Sequence, residues 1–183
     1  MNVPPESYKR QLGPGGLECR ALPADSAPVT SAEANGAPVI RGYGAVYNVV
    51  TTIGGEEYGF DEMFAPGAFA QSITEADVRC MFNHDTDNVL GRTKPGTLRL
   101  AEDATGLAYE VDVNTEDPEA VSVHAKVKRG DVDGSSVWFR CIEDNWTYPD
   151  ASNGLVRPLR VIAAGALIET GPVTFPAYED AES

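Results

Sequence analysis

The sequence predicts a β-rich α+β domain: a curled antiparallel sheet or β-barrel with a few helices packed on it. Three observations carry that expectation. From Val39 onward, apolar and polar residues alternate in short segments broken by turn residues. Only the stretch from Pro118 to Arg129 carries helical signals at both ends. The chain has 183 residues, 42% hydrophobic and 23% charged, which is globular composition for one ordinary domain with tails and excludes whole-chain disorder.

Residues 1–39 hold six of the thirteen prolines and no sustained period, so they read as a mostly irregular tail. A candidate first strand lies near 17–22, where Leu17 to Leu22 alternates, and Pro23 to Pro38 reads as a connection. Val39 to Tyr47 reads as a strand with two glycines, the mark of a bulge or a close backbone approach. Within Glu62 to Ile73, Ala65-Pro66-Gly67-Ala68-Phe69 reads as a turn into a short helix that Pro66 starts. Val78, Cys80 and Phe82 alternate with Arg79, Met81 and Asn83, so His84 is expected at the end of a strand, on its apolar side. Thr97–Leu100 and Leu107–Val113 flank a turn-rich run and form a hairpin. The helix from Pro118 to Arg129 has Asp117 as its cap, Pro118 in its first turn, acids at its start, bases at its end and Gly130 at its exit. Ser136–Ile142 and Arg160–Ile168 are the last long strands; the first places Ser136, Trp138 and Arg140 on one face and Val137, Phe139 and Cys141 on the other.

A formal net charge of −14 argues against sequence-independent nucleic-acid binding and against anionic membranes. The longest uncharged apolar run, Val161 to Ile168, is far too short to span a bilayer, and the expectation is a soluble cytoplasmic protein. Three widely spaced cysteines, Cys19, Cys80 and Cys141, show neither zinc spacing nor a disulfide framework and point to a reducing compartment.

Two histidines limit any imidazole chemistry to His84 and His124. A histidine held by a strand end can take and return a proton near neutral pH, or simply hydrogen-bond its neighbours. His124 lies mid-helix among charges and reads as a surface position. Gly130-Asp131-Val132-Asp133-Gly134-Ser135-Ser136 is a helix exit and tight turn that delivers a serine to a strand. A serine becomes a nucleophile only beside a base and oxyanion donors; otherwise this is a solvated Asp/Gly/Ser turn. G-x-S-x-G, phosphate-loop, dinucleotide and H-E-x-x-H signatures are absent. A metal site at His84, Asp85 and Asp87 is disfavoured because adjacent strand side chains point apart, so no metal or cofactor is expected. Asp61 and Glu62 read as solvated surface rather than a glycosidase pair.

Taken in order, several short segments resemble the prohead proteases of tailed bacteriophages, over about three quarters of the chain from Arg41 to Tyr178. They are Gly42-Tyr43-Gly44-Ala45-Val46-Tyr47-Asn48, Glu62-x-Phe64-Ala65-Pro66-Gly67-Ala68-Phe69, Phe82-Asn83-His84-Asp85, Leu90-Gly91-Arg92-Thr93 with Gly96-Thr97-Leu98, Lys128-Arg129-Gly130-Asp131, Gly134-Ser135-Ser136, and Leu167-x-Glu169 leading to Pro172-Val173-Thr174-Phe175-Pro176-Ala177. The resemblance implies a fold and mechanism similar to herpesvirus assembly proteases. It implies a serine endopeptidase domain over 40–178, with 179–183 a C-terminal tail. Its substrates would be the major capsid protein and scaffold segments, cut inside the assembling prohead in the host cytoplasm, with its own chain as a further candidate. Homo-oligomerisation is left open, and no direct nucleic-acid or membrane partner is implied.

By the same resemblance His84 is the general base and Ser136, rather than Ser135, the nucleophile. Herpesvirus enzymes orient the base with a second histidine, but no histidine follows Ser136 here. Glu169 is the candidate for that role and Asp85 the runner-up; the structural alternative for Glu169 is pairing with Arg92 or Arg140. The chain departs from the family's pattern after the nucleophile, where Val137 and bulky Trp138 stand, and at Gly171, where a serine is usual. Trp138 is accordingly the candidate substrate contact. The alternative reading is a non-catalytic assembly or scaffold protein that has kept the protease fold and lost turnover.

Overall fold

A computed structural model describes residues 13–22, 28–54 and 59–176, and these hold eleven strands and two α-helices. In chain order they are β1 (Glu18–Leu22), β2 (Thr30–Ala34), β3 (Ala37–Val46), β4 (Thr51–Ile53), β5 (Phe60–Phe64), α1 (Ala70–Glu75), β6 (Arg79–Met81), β7 (Val89–Arg92), β8 (Leu98–Glu102), β9 (Gly106–Asp112), α2 (Pro118–Arg129), β10 (Gly134–Thr147) and β11 (Leu159–Val173). β-Rich α+β is therefore the fold class, but its sheets are arranged otherwise than expected. Two sheets form and do not close into a barrel. One runs β1-β10-β11-β5-β4 with β6 and β7 extending it; the other runs β2-β3-β9-β8. Nor is the first purely antiparallel, since β5 and β6 both pair parallel to β11.

The parallel pairing follows from the length of β11. At its start β11 pairs with β5 and near its end, at Glu169, with β6. Between them the edge is completed by the α1 region rather than by a strand: Gly165 N–H donates to Ala68 O at 2.8 Å and Leu167 N–H to Ser72 Oγ at 3.0 Å, while that hydroxyl donates to Gly165 O at 2.9 Å. Buried backbone groups need such partners, so a buried serine serves here where an apolar residue would leave them unpaired. The helix expected to start at Pro66 begins at Ala70, with Pro66–Phe69 forming turns before it.

β1 occupies the candidate strand of the N-terminal stretch, and β2 lies in what was expected to be a connection. Residues 1–12 of the expected tail, residues 23–27 of the expected connection and the C-terminal tail 179–183 lie outside the described residues. α2 spans the predicted range with the predicted caps. Asp117 accepts from Glu119 N–H, and Gly130 takes the left-handed conformation (φ 84°) that ends the helix. Ala120, Val123 and Val127 face the core. That core continues through Phe64, Phe69 and Phe139, whose rings meet pairwise at 5.3–5.8 Å.

Glu62 corrects the surface reading: it is 3% exposed and bonded to two arginines. β5 alternates Phe60, Glu62 and Phe64 inward, so the carboxylate enters the interior between two phenylalanines. Arg160, 0% exposed, meets it there, donating to Glu62 Oε2 at 2.7 Å, to Glu18 Oε2 at 2.6 Å and to Asp144 Oδ2 at 2.7 Å. Arg20 completes the cluster, with Nε 2.5 Å from Glu62 Oε1.

Candidate active site

Two rows across one sheet face make the floor of the site. Cys19, Trp138 and Glu169 are register partners on β1, β10 and β11; Ala21, Ser136 and Gly171 form the adjoining row. Residues directly opposite on neighbouring strands project to the same side, as do residues two apart on one strand. Cys19, Ser136, Trp138 and Glu169 thus share a face, with small residues on either side of the serine.

His84 comes to that face from a turn, not from the strand end that alternation predicted. β6 stops at Met81, and Asn83 and His84 both have positive φ (53° and 59°). Asparagine and histidine are among the residue types that tolerate this conformation best, although each such residue stores on the order of 1–3 kcal/mol. The turn is pinned to the end of β11 and the residue after it: Asn83 N–H donates to Pro172 O at 3.1 Å, and Asn83 Oδ1 accepts from Thr174 N–H at 2.7 Å. Gly171 permits the close approach of β6, since a Cβ there would lie 2.2 Å from Met81 O.

The imidazole bridges Glu169 and Ser136. Nδ1 is 2.6 Å from Glu169 Oε2 and Nε2 is 2.7 Å from Ser136 Oγ, across fifty-two residues of chain. Glu169 Oε1 accepts from Met81 N–H at 3.1 Å, so both carboxylate oxygens are engaged. Arg92 and Arg140, the alternative partners of Glu169, are elsewhere: Arg92 pairs with Asp77, and Arg140 donates to Gly15 O. Asp85 accepts from Asp87 N–H within its own turn. Ser135, beside the candidate serine, faces away and donates to Tyr109 Oη at 3.2 Å. Thr170 donates to the Ser136 carbonyl at 3.0 Å, which fixes the backbone that carries the hydroxyl.

Proton counting distinguishes two states of this arrangement. Ser136 Oγ also lies 2.9 Å from Arg20 O, so one hydroxyl proton has two acceptors within reach. With the ring protonated, Nδ1–H donates to Glu169, Nε2–H donates to Ser136 and the hydroxyl donates to Arg20 O. With the ring neutral, the hydroxyl can donate to Nε2 instead, which is the arrangement from which a base removes the proton. Burial disfavours the charged ring, but bonds to Cys19 and Glu169 outweigh it and push the imidazole up to about 9. Burial pushes the Glu169 carboxyl up, partly offset by His84.

Two neighbours complete the surroundings of the ring. Trp138 stacks on it with ring centroids 4.6 Å apart and an interplanar angle of 7°. Cys19 Sγ lies 3.4 Å from Nε2 and 3.5 Å from Ser136 Oγ. Burial would raise its thiol pKa, but bonds to His84 and Ser136 hold it below the usual range. No signal in the sequence pairs Cys19 with residues more than sixty positions away; only the alternation of 17–22 placed it on a strand. Cys80, by contrast, is fully buried and pushed well above the thiol range. His124 stands on α2, where burial and the charge of Lys128 lower its pKa. Among the described residues no group of three or more His, Cys, Asp or Glu side chains could hold a metal ion.

The family model described as caudovirus prohead serine protease matches residues 25–183. Searches among curated proteins and among solved structures return no match.

Proposed function

The chain belongs to the caudovirus prohead serine protease family, and from that premise we propose that it is a working endopeptidase in which Ser136 is the nucleophile, His84 the general base and Glu169 the group that orients the base. One observation carries the reading: a serine, an imidazole and a buried carboxylate form one hydrogen-bonded chain, with contacts of 2.7 and 2.6 Å. In the first step His84 Nε2 takes the hydroxyl proton as Ser136 Oγ attacks the scissile carbonyl carbon. The imidazolium so formed faces Glu169, returns its proton to the leaving amine, and then serves as base for the water that hydrolyses the acyl-enzyme.

Capsid and scaffold segments are the proposed substrates, cut inside the assembling prohead in the host cytoplasm, and its own chain is a further one. The likeness to herpesvirus assembly proteases belongs to the same proposal and rests on chain order, histidine before serine, with Glu169 proposed for the orienting role that a second histidine has there. Trp138, beside the serine, is the proposed substrate-facing wall. The net charge of −14 suits a protein that stays off packaged DNA.

Ser136→Ala and His84→Ala should each leave capsid precursor uncleaved in assembling heads, and to a similar extent because the two act as a unit. A serine-reactive fluorophosphonate should label wild-type Ser136 and leave Ser136→Ala unlabelled. Normal precursor cleavage by Ser136→Ala overturns the reading. A wild-type chain that takes no label is the result expected of a scaffold that has kept the fold and lost turnover.

A further inference from the structure

His84 is held differently from the groups it bridges. Ser136 and Glu169 stand on β10 and β11, the two longest strands, whereas His84 stands three residues past the end of β6 in a left-handed turn. No strand ladder fixes its ring, so the direction of the imidazole is set by what the side chain touches. The ring is tied at both nitrogens, to Glu169 through Nδ1 and to Ser136 through Nε2. Rotation of the side chain about Cβ–Cγ carries both nitrogens away from these partners, lengthening the bonds and bending them off the lone-pair and N–H directions, where they weaken.

Trp138 opposes that rotation. Its indole lies parallel to the imidazole at 4.6 Å, as a flat wall against one face. The wall is rigidly placed, because Trp138 is two residues from Ser136 on the same strand and is the direct register partner of both Cys19 and Glu169. We propose that Trp138 is a positioning residue for His84, whose indole keeps the imidazole plane aimed from Glu169 to Ser136 and whose π face stabilises the imidazolium formed as Ser136 gives up its proton. The inference rests on the Ser136–His84 reading and assigns the bulky departure at position 138 a task in the proton transfer. Other titratable or charged groups facing the ring are Glu169 from β11 and Cys19 from β1; Lys126 of α2 lies 5.4 Å over the neighbouring Phe82 ring.

The test uses the full chain and a fluorophosphonate as the probe, with maximal labelling rate and half-saturating probe concentration measured from neutral to alkaline pH. Trp138→Leu should lower the maximal rate roughly threefold to tenfold, with the half-saturating concentration nearly unchanged, and should move the labelling midpoint about half a pH unit lower. Trp138→Phe keeps a flat ring and should recover most of both. As an independent reading, the NMR titration of His84, one of two histidines in the chain, should move down in Trp138→Phe by less than in Trp138→Leu. Wild-type rate and midpoint in both variants overturn the inference; a change confined to the half-saturating concentration overturns it too and leaves Trp138 the substrate-facing role alone. Labelling of Ser136→Ala, or none in wild type, overturns the underlying reading and this inference with it.

Discussion

The two faces of β1 serve opposite electrostatic ends. One turns Cys19 toward His84 and Ser136; the other turns Glu18 and Arg20 into the cluster with Glu62 and Arg160. Both faces meet carboxylates taken out of water, Glu169 at 0% exposure on one and Glu18 and Glu62 at 1% and 3% on the other. In the cluster the partners are guanidiniums, charged at every pH a cell meets, in a planar fork that spreads over several carboxylates, and no proton moves. At the site the partner is an imidazole, which can gain a proton and give it up again. A buried carboxylate alone therefore marks no function; whether its partner can titrate decides between a clamp and a catalyst.

Removing the charge at Glu169 breaks the active half of that contrast and should have the largest effect. Glu169→Gln keeps the shape but offers His84 no counterion, so the turnover number for capsid-precursor cleavage should fall roughly 10³–10⁴-fold, or about 4–5.5 kcal/mol. In wild type the base must be neutral, so the cleavage rate should rise with pH through about 9, where the ring loses its proton. Glu169→Gln should shift this rise to lower pH. The stability linkage runs the other way: a pKa raised from 6.5 to about 9 contributes stability that is full below 6.5 and is lost as pH rises through about 9. Urea midpoints across that window check it.

Removing a permanent charge breaks the other half. Arg160→Met leaves Glu18 and Glu62 with Arg20 between them and should cost about 3–5 kcal/mol in urea unfolding. The fraction still folded should label at Ser136 at nearly the wild-type rate, because the cluster moves no proton in the reaction. A large loss of labelling in the folded fraction would show that the two faces of β1 are coupled.

A smaller effect is expected where the sheets touch behind Ser136. A Cβ on Gly44 would lie 2.3 Å from Thr170 Oγ1, the group that donates to the Ser136 carbonyl. Gly44→Ala should destabilise by about 1–3 kcal/mol through overpacking, and should also slow Ser136 labelling because the displaced hydroxyl is the one holding its backbone. Melting and labelling measured together check both.

What the sequence made legible follows from the range of the forces involved. α2 was readable because its cap, dipole matching and exit glycine all act within a few residues, and the β8–β9 hairpin because its turn is local. His84, Ser136 and Glu169 were named through a resemblance, since contacts across fifty-two and eighty-five residues leave no local signal. The same range hid Cys19, the parallel pairing of β11 and the failure of the sheets to close. His84 reads as part of a strand because alternation continues past Met81, while the bond from Asn83 N–H to Pro172 O and the bond Asn83 Oδ1 accepts from Thr174 N–H end it there. Glu62 was within reach: Phe60, Glu62 and Phe64 share one side of an alternating strand, and a carboxylate between two buried phenylalanines needs a cation in the interior.

The least effect is expected at a feature that touches neither face of β1. Asp117 accepts from Glu119 N–H at 2.9 Å and so satisfies one of the donors left unpaired at the start of α2. Asp117→Ala should lower stability by about 1 kcal/mol, and the helix should persist because Ala120, Val123 and Val127 remain buried. The rate of Ser136 labelling should not change. This variant supplies the scale for the others: a labelling defect in Arg160→Met counts as coupling between the two faces only if it exceeds what Asp117→Ala shows per unit of lost stability. If a capping change slows labelling as much as Gly44→Ala does, labelling is following global looseness, and the backbone bond to Ser136 holds no special place.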